Sequence, residues 1–252
     1  MGEVNLGKGN TEYRERNYRN LIDNQSLVSF QIKTKESDLF IRASQELSYL
    51  AQSSLIEYRK QIGNYINHHP LFKTSLLPCP HDKEAPEIVS AMLHAAKLCR
   101  VGPMAAVAGA IAEYIGKALL NHSSEVIIEN GGDIFLKSNQ LRKISIFAGK
   151  SPLSQKVILN VNSREFPMGI CTSSGTVGPS LSFGNADAVT VTSMSTSLAD
   201  AAATAIGNLI KSKEDIEKGL NYAQKIKGIA GAVIIKDDKI GFWGDINFSM
   251  AK

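Results

Sequence analysis

The sequence predicts an α+β fold of mixed or antiparallel sheets with packed helices, and three observations lead to it. Apolar periods of two and of three to four intermix along the chain, without the strict strand–helix alternation of a doubly wound sheet. Several strand-like runs flank short turns rich in Gly, Asn and Asp, as hairpins do. The 252 residues, 43% hydrophobic and 21% charged, suffice to bury a core, as one domain over 1–252 or as two interlocked halves of about 1–100 and 101–252.

Residues 27–43, LVSFQIKTKESDLFIRA, alternate on both sides of a Lys-Glu-Ser-Asp turn and read as a hairpin. From Ala43 to Tyr65, apolar Leu47, Leu50, Leu55, Tyr58 and Ile62 recur at three and four, the period of an amphipathic helix. HHPLFKTSLLPCPHDKEAP has no period, and Pro70, Pro78 and Pro80 forbid a continuous helix, so it reads as a connector. Pro86 suits a first helical turn, and Glu87 to Cys99 continues as helix until Gly102 and Pro103 interrupt. The next helix, Met104 to Leu120, begins MAAVAGAIA, small enough for another backbone to approach closely.

VIIENGGDIFL then reads as strand, glycine turn, strand, and KISIFAG and KVILNVN as further strands. GICTSSGTVGPSLSFGN reads as a loop, AVTVTS as a buried strand, and Ser197 to Ile210 as an Ala-rich helix. KEDIEKGLNYAQKI is an amphipathic helix, and GAVIIKDDKIGFWG a hairpin about Asp237 and Asp238.

Basic and acidic side chains, 28 against 24, are spread along the chain without a basic patch, which argues against a nucleic-acid partner. Cys79, Cys99 and Cys171 form no CxxC pair, so neither a disulfide framework nor a thiolate zinc site is indicated. The polar start MGEVNLGKGNTEYRERNYR lacks a signal-peptide core, and no apolar run approaches a membrane span. The expectation is a cytoplasmic protein with no membrane partner. One segment stands out: from Phe166 to Ile210 the only charged residues are Asp187 and Asp200, among many Ser and Thr.

Within that segment, Cys171-Thr172-Ser173-Ser174-Gly175-Thr176-Val177-Gly178 can turn backbone N–H groups and hydroxyls toward one anion, as phosphate-cradling loops do. A polar turn between two strands has the same composition. Asn130-Gly131-Gly132-Asp133 supplies positive φ for a tight hairpin, or lets a ligand approach the backbone while Asn130 or Asp133 bonds it. Asp200 and Thr204, four apart near a helix start, share a face and form part of an oxygen ligand set for magnesium; an acidic residue there can also serve the helix dipole. Cys171 is a candidate nucleophile or sulfur carrier, or simply a small packed residue. His68, His69, His81 and His94 lack metal-site framing.

In order, the small-residue helix, ENGGDIFL, CTSSG and ADAAATA resemble the core of the ApbE superfamily, the FAD:protein FMN transferases. More closely, YRERNYR, VGPMAAVAGAIAE and GICTSSGTVGPSLSFGNADAVTV resemble an uncharacterised ApbE-like family, over nearly the whole chain. The transferase resemblance covers mainly residues 100–210. It implies that Asn130, Gly131, Gly132 and Asp133 line a flavin site, that Thr172 to Gly175 face phosphates, and that Asp200 and Thr204 ligate Mg²⁺. FAD or FMN is the implied cofactor, and the implied reaction is attack of a target-protein threonine on the FMN phosphorus with AMP leaving. Two segments depart from the transferase pattern: Val101 to Ala106 lacks its lysine, and Gly178 to Gly184 lacks its histidine.

The expected function is therefore Mg²⁺-dependent binding of a phosphorylated or flavin ligand with phosphoryl-type transfer, Asp133, Asp187 and Cys171 being the candidate catalytic groups. The expected assembly is a homo-oligomer with room for a protein partner. The alternatives are an accessory protein of anaerobic sulfur assimilation with Cys171 as sulfur carrier, a role suspected for the resembling family, and a non-catalytic scaffold.

Overall fold

Strand alternation produces the first hairpin, β1 (Val28–Thr34) and β2 (Ser37–Ala43), which turns through Lys35 at a φ of 53°. The computed structural model describes residues 27–176 and 183–251. The N-terminal YRERNYR motif lies outside the described residues.

β2 pairs with β3 (Val126–Asn130), which turns at Gly131-Gly132 into β4 (Asp133–Lys137). The sheet continues through β7 (Met168–Ser173), β8 (Ala188–Ser193), β9 (Ile229–Lys236) and β10 (Lys239–Gly244) in the order β1-β2-β3-β4-β7-β8-β9-β10. All its pairings are antiparallel. Between β4 and β7 the chain leaves to make β5 (Arg142–Ser145) and β6 (Val157–Val161), which join β11 (Phe248–Met250) in a second sheet ordered β11-β6-β5.

Helices α1 (Ser48–His68), α2 (Leu71–Thr74), α3 (Glu87–Cys99), α4 (Val107–Leu120), α5 (Thr196–Gly207) and α6 (Ile216–Ala223) complete the described elements with two 3₁₀ turns. Period-two alternation sends one face of the large sheet to the helices and the other to the small sheet. Ile128, Phe135, Cys171, Val191 and Ile234 enter the helix-side core. Ile127, Ile134, Ile170, Ala188 and Val233 enter the core shared with Ile144, Leu159 and Val161 of the small sheet. The α+β expectation therefore holds, as three layers with the large sheet in the middle.

One local expectation changes. Gly169 to Ser173 are not loop: all five pair with β8, and Gly169 to Cys171 pair with β4 as well, so inter-strand hydrogen bonds override the turn-like composition. The stretch Pro103–Leu120 is long and apolar enough to cross a membrane by length and composition alone, although Glu113 and Lys117 interrupt it. In the fold it is a core helix: Gly109 to Glu113, Ile115, Gly116 and Leu119 of α4 are buried.

The small residues of α4 allow close approach, as the sequence suggested. A Cβ at Gly109 would stand 2.5 Å from the Thr196 carbonyl oxygen and 2.7 Å from Asp200 Cβ, both in α5. One at Gly116 would overlap the Phe135 ring. Helix propensity alone favours Ala over Gly by about 1 kcal/mol, but overpacking costs about 1–3 kcal/mol. Gly109→Ala is therefore expected to destabilise the protein in urea titration, while Gly63→Ala in α1, where nothing lies within 4 Å of the new methyl, should stabilise it. Stabilisation by both would show that α4 and α5 do not cross at Gly109.

Candidate functional site

The Asn130-Gly131-Gly132-Asp133 hairpin places its two polar ends side by side. Gly131 and Gly132 have φ of 69° and 109°, a turn that a side-chain-bearing residue adopts only with strain. Asn130 and Asp133 are register partners and both are buried. Asn130 Nδ2 donates to the Ala108 carbonyl oxygen at 3.0 Å, which ties the turn to the start of α4. The Gly132 N–H donates to Glu129 Oε1 at 3.0 Å.

At the same place α4 and α5 exchange carboxylates. The Gly109 N–H in the first turn of α4 donates to Asp200 Oδ2 at 2.8 Å. Conversely, Glu113 Oε2 accepts from the Ser197 N–H and hydroxyl at 2.9 Å each, and from the Ser195 hydroxyl at 3.1 Å, at the start of α5. A helix start leaves its first N–H groups without intrahelical acceptors, and its dipole favours a negative charge there. Each helix thus satisfies the other's orphan donors. Burial disfavours the Glu113 carboxylate, but Lys117 at 2.7 Å and the Ser197 donors outweigh it and hold the pKa below the ordinary range.

Asp200 does not sit in the first turn of its own helix, and its dipole contact is with α4 rather than α5. Nothing in a linear reading reports this, since the partners are 91 positions apart. Glu113 was likewise missed; its only signal was an acidic residue within an otherwise small and apolar helix.

Asp133 and Cys171 are register partners across β4 and β7, on the helix face. The Cys171 thiol donates to the Thr196 carbonyl oxygen at 3.4 Å and lies beside the Asp133 carboxyl; its one proton serves one acceptor at a time. Burial pushes the Asp133 pKa up to about 7, helped by Glu129 and opposed by hydrogen bonds from Cys171 and the Thr172 N–H. Burial, then the charge of Asp133, pushes Asp200 up as well, against the N–H groups of Gly109 and Ala108. Burial and these two carboxylates raise Cys171, so the thiolate that nucleophilic or sulfur-carrying chemistry needs is disfavoured.

Other predicted residues lie elsewhere. Thr172 points to the opposite sheet face and bonds Thr190 at 2.9 Å. Ser173 is on the helix side, within van der Waals reach of a Cβ built on Gly207 at the end of α5. Ser174 and Thr176 bond each other at 3.3 Å, and the Gly175 N–H donates to the Ala186 carbonyl oxygen. Thr176 donates onward to Asp187, which also accepts the Asp237 N–H at 2.6 Å and stands 3.8 Å from Lys236 Nζ. Asp187 thus holds the β9–β10 turn. Thr204 is half-buried one helical turn beyond Asp200, and Gly178 lies outside the described residues.

The geometry brings Asn130, Asp133, Cys171 and Asp200 to the start of α4, and leaves Thr172, Thr176 and Asp187 in separate hydrogen-bonded groups. Among the described residues, no three His, Cys, Asp or Glu side chains are placed to hold a metal ion by themselves.

A raised carboxyl makes the fold less stable as pH rises. In the unfolded chain Asp133 ionises near 4. Between there and about 7 the folded protein keeps a proton that the unfolded chain has released, so stability falls through this window and the loss is complete above it. Thermal midpoints from about pH 5 to about pH 8 should therefore fall more in the parent protein than in Asp133→Asn, whose neutral amide removes the titration. Parallel profiles would refute the buried, proton-holding state.

With this geometry in place, the chain's relatives can be set beside it. It is 39% identical to a UPF0280 protein of Methanothrix thermoacetophila over 82% of this chain and 87% of that protein. It is 40% identical to a UPF0280 protein of Methanococcus vannielii over 87% and 92%. Its fold is similar to the flavin transferase ApbE of Vibrio cholerae, an H257G mutant, at a TM-score of 0.59, with 14% identity over 86% of this chain and 97% of that one. The apo flavinyl transferase ApbE of Pseudomonas stutzeri matches at a TM-score of 0.57, with 13% identity over 86% and 94%. The family model described as AbpE bacteria matches residues 19–241, and the chain belongs to that ApbE-like family.

Proposed function

We propose that this chain binds a flavin nucleotide or related nucleotide through its phosphates, together with Mg²⁺, and catalyses an ApbE-type transfer to a protein hydroxyl. The observation that carries the reading is the Asp133–Asp200 pair. The charge of Asp133 raises the Asp200 pKa, both carboxyls stand above their ordinary range, and no lysine or arginine contributes to either shift. Two such groups favour a shared proton or a shared cation.

The donor set suits magnesium with a phosphate ligand rather than magnesium alone. Mg²⁺ takes one or two carboxylates and completes its octahedron with water and substrate phosphate oxygens. Asp200 offers a carboxylate, Thr204 a hydroxyl one turn away, and both are half-buried and reached by solvent. When bound, the ion would neutralise phosphoryl charge and polarise the phosphorus–oxygen bond. Asp200 would be oriented by the Gly109 N–H, and Asn130 would hold the glycine turn against α4. Asp133, with its pKa near neutrality, is suited to accept the proton of an attacking hydroxyl. The sulfur-carrier reading is not favoured, because Cys171 is buried and its thiolate disfavoured.

Calorimetric titration with FAD and with ADP tests the reading. Binding should require Mg²⁺, and Mg²⁺ alone should bind much more weakly than with nucleotide. Asp200→Asn keeps an oxygen for the Gly109 N–H while removing the charge, and should lower nucleotide affinity at least about tenfold, or 1.4 kcal/mol. Absence of binding to either nucleotide with Mg²⁺ present, or equal binding by Asp200→Asn, would refute it.

A further inference from the structure

β10 forms one outer edge of the eight-stranded sheet, and among the described residues no strand pairs with its far side. An edge strand presents alternate N–H and C=O groups to whatever can add to it. The edge strand runs Lys239-Ile240-Gly241-Phe242-Trp243-Gly244 and ends where Gly244 turns at a φ of 84°. The Asp245 N–H still donates to the Ala230 carbonyl oxygen of β9 at 2.9 Å, which holds Asp245 beside the end of the strand. At its centre Phe242 is 53% exposed, although its ring is held edge-on to Phe248 at 5.1 Å. At its two ends Lys239 and Asp245 are exposed, and neither has an ion-pair partner among the described residues.

We propose that two copies of this chain pair antiparallel along β10, about a two-fold axis through Phe242, so that their eight-stranded sheets join into one. In this register Phe242 faces its own copy, and Lys239 of each chain stands opposite Asp245 of the other. Both otherwise unpaired charges find partners, twice, and the exposed ring is covered by an aromatic ring, a favourable cross-strand pair. Neighbouring registers lose this match. Centring on Gly241 sets Asp237 against Asp245, and centring on Trp243 sets Lys239 against Asn247. A self-complementary edge with one charge-matched register is what an isologous interface requires.

Sedimentation velocity over a concentration series reads the dimer directly. Lys239→Asp and Asp245→Lys, each made separately on the exposed edge, place like charges opposite each other in both pairs and should weaken association about tenfold. Together the two changes restore opposite charges and should restore the dimer. A second readout uses Phe242→Cys in a Cys79→Ser background: a residue on the axis meets its own copy within disulfide range, so mild oxidation should give a covalent dimer. A monomer at every concentration, which would leave the edge to a strand of a different protein, overturns the proposal. So does a dimer indifferent to the single charge reversals, or one that fails to cross-link through position 242.

Discussion

The exchange of carboxylates between α4 and α5 is the interaction on which the centre of the molecule depends. Neither Ala106 before α4 nor any residue of its first turn offers a capping side chain, so Asp200 supplies what local sequence does not. Glu113 does the same for α5 and adds to the local cap of Ser195. The exchange needs the helices to cross closely, which Gly109 permits. It also fixes where the glycine turn of β3–β4 lies, because Asn130 bonds the carbonyl of Ala108, next to the N–H of Gly109. Helix, turn and β7 therefore converge through hydrogen bonds to backbone, which few substitutions elsewhere can replace.

The same arrangement places Asp200 between opposing demands. Backbone donors at a helix start stabilise its charged form, whereas burial and the nearby Asp133 destabilise it, and the second pair prevails. A carboxyl held in this balance responds strongly to an added positive charge, because ionisation and cation binding then favour each other. Glu113 shows the contrast. It is equally a cap, but Lys117 lies beside it, and its charge is already secured. One cap has a lysine beside it; the other has the carboxyl of Asp133.

Much of the fold was legible in the sequence because local periods and turn residues agree with the final structure. The hairpins at Lys35, Gly131-Gly132 and Asp237-Asp238 lie where alternation and turn composition put them. The interval from Gly169 to Ser173 was misread because hydroxyls and glycine are common in turns, while its strand character comes from neighbours on both sides that are distant in sequence. β11 was missed for a similar reason: three residues carry no period, and β6 alone defines them. At the site, the motif residues Asn130, Asp133 and Asp200 could be named from the chain. The backbone partners of Asn130, Asp200 and Cys171, which are Ala108, Gly109 and Thr196, could not, because each contributes only a backbone group that any residue type supplies.

The charge-poor interval from Phe166 to Ile210 has a clearer physical sense once the sheet order is known. Its strands β7 and β8 are interior strands of the large sheet, so most of their side chains face one core or the other and charge is excluded. Two lysines reach that interval: Lys211 donates to the Phe183 carbonyl oxygen, and Lys236 of β9 reaches Asp187 at 3.8 Å and Asp237 at 2.7 Å, contact with Asp237 raising its pKa. Lys236 is committed to acidic neighbours at the β9–β10 turn. Neither lysine appears among the groups that act on Asp133 or Asp200. A polyanionic ligand at the glycine turn would therefore meet carboxyl groups rather than ammonium groups, which is why the proposed reading includes a metal ion. The proposed metal dependence rests on the sheet topology as much as on the motif.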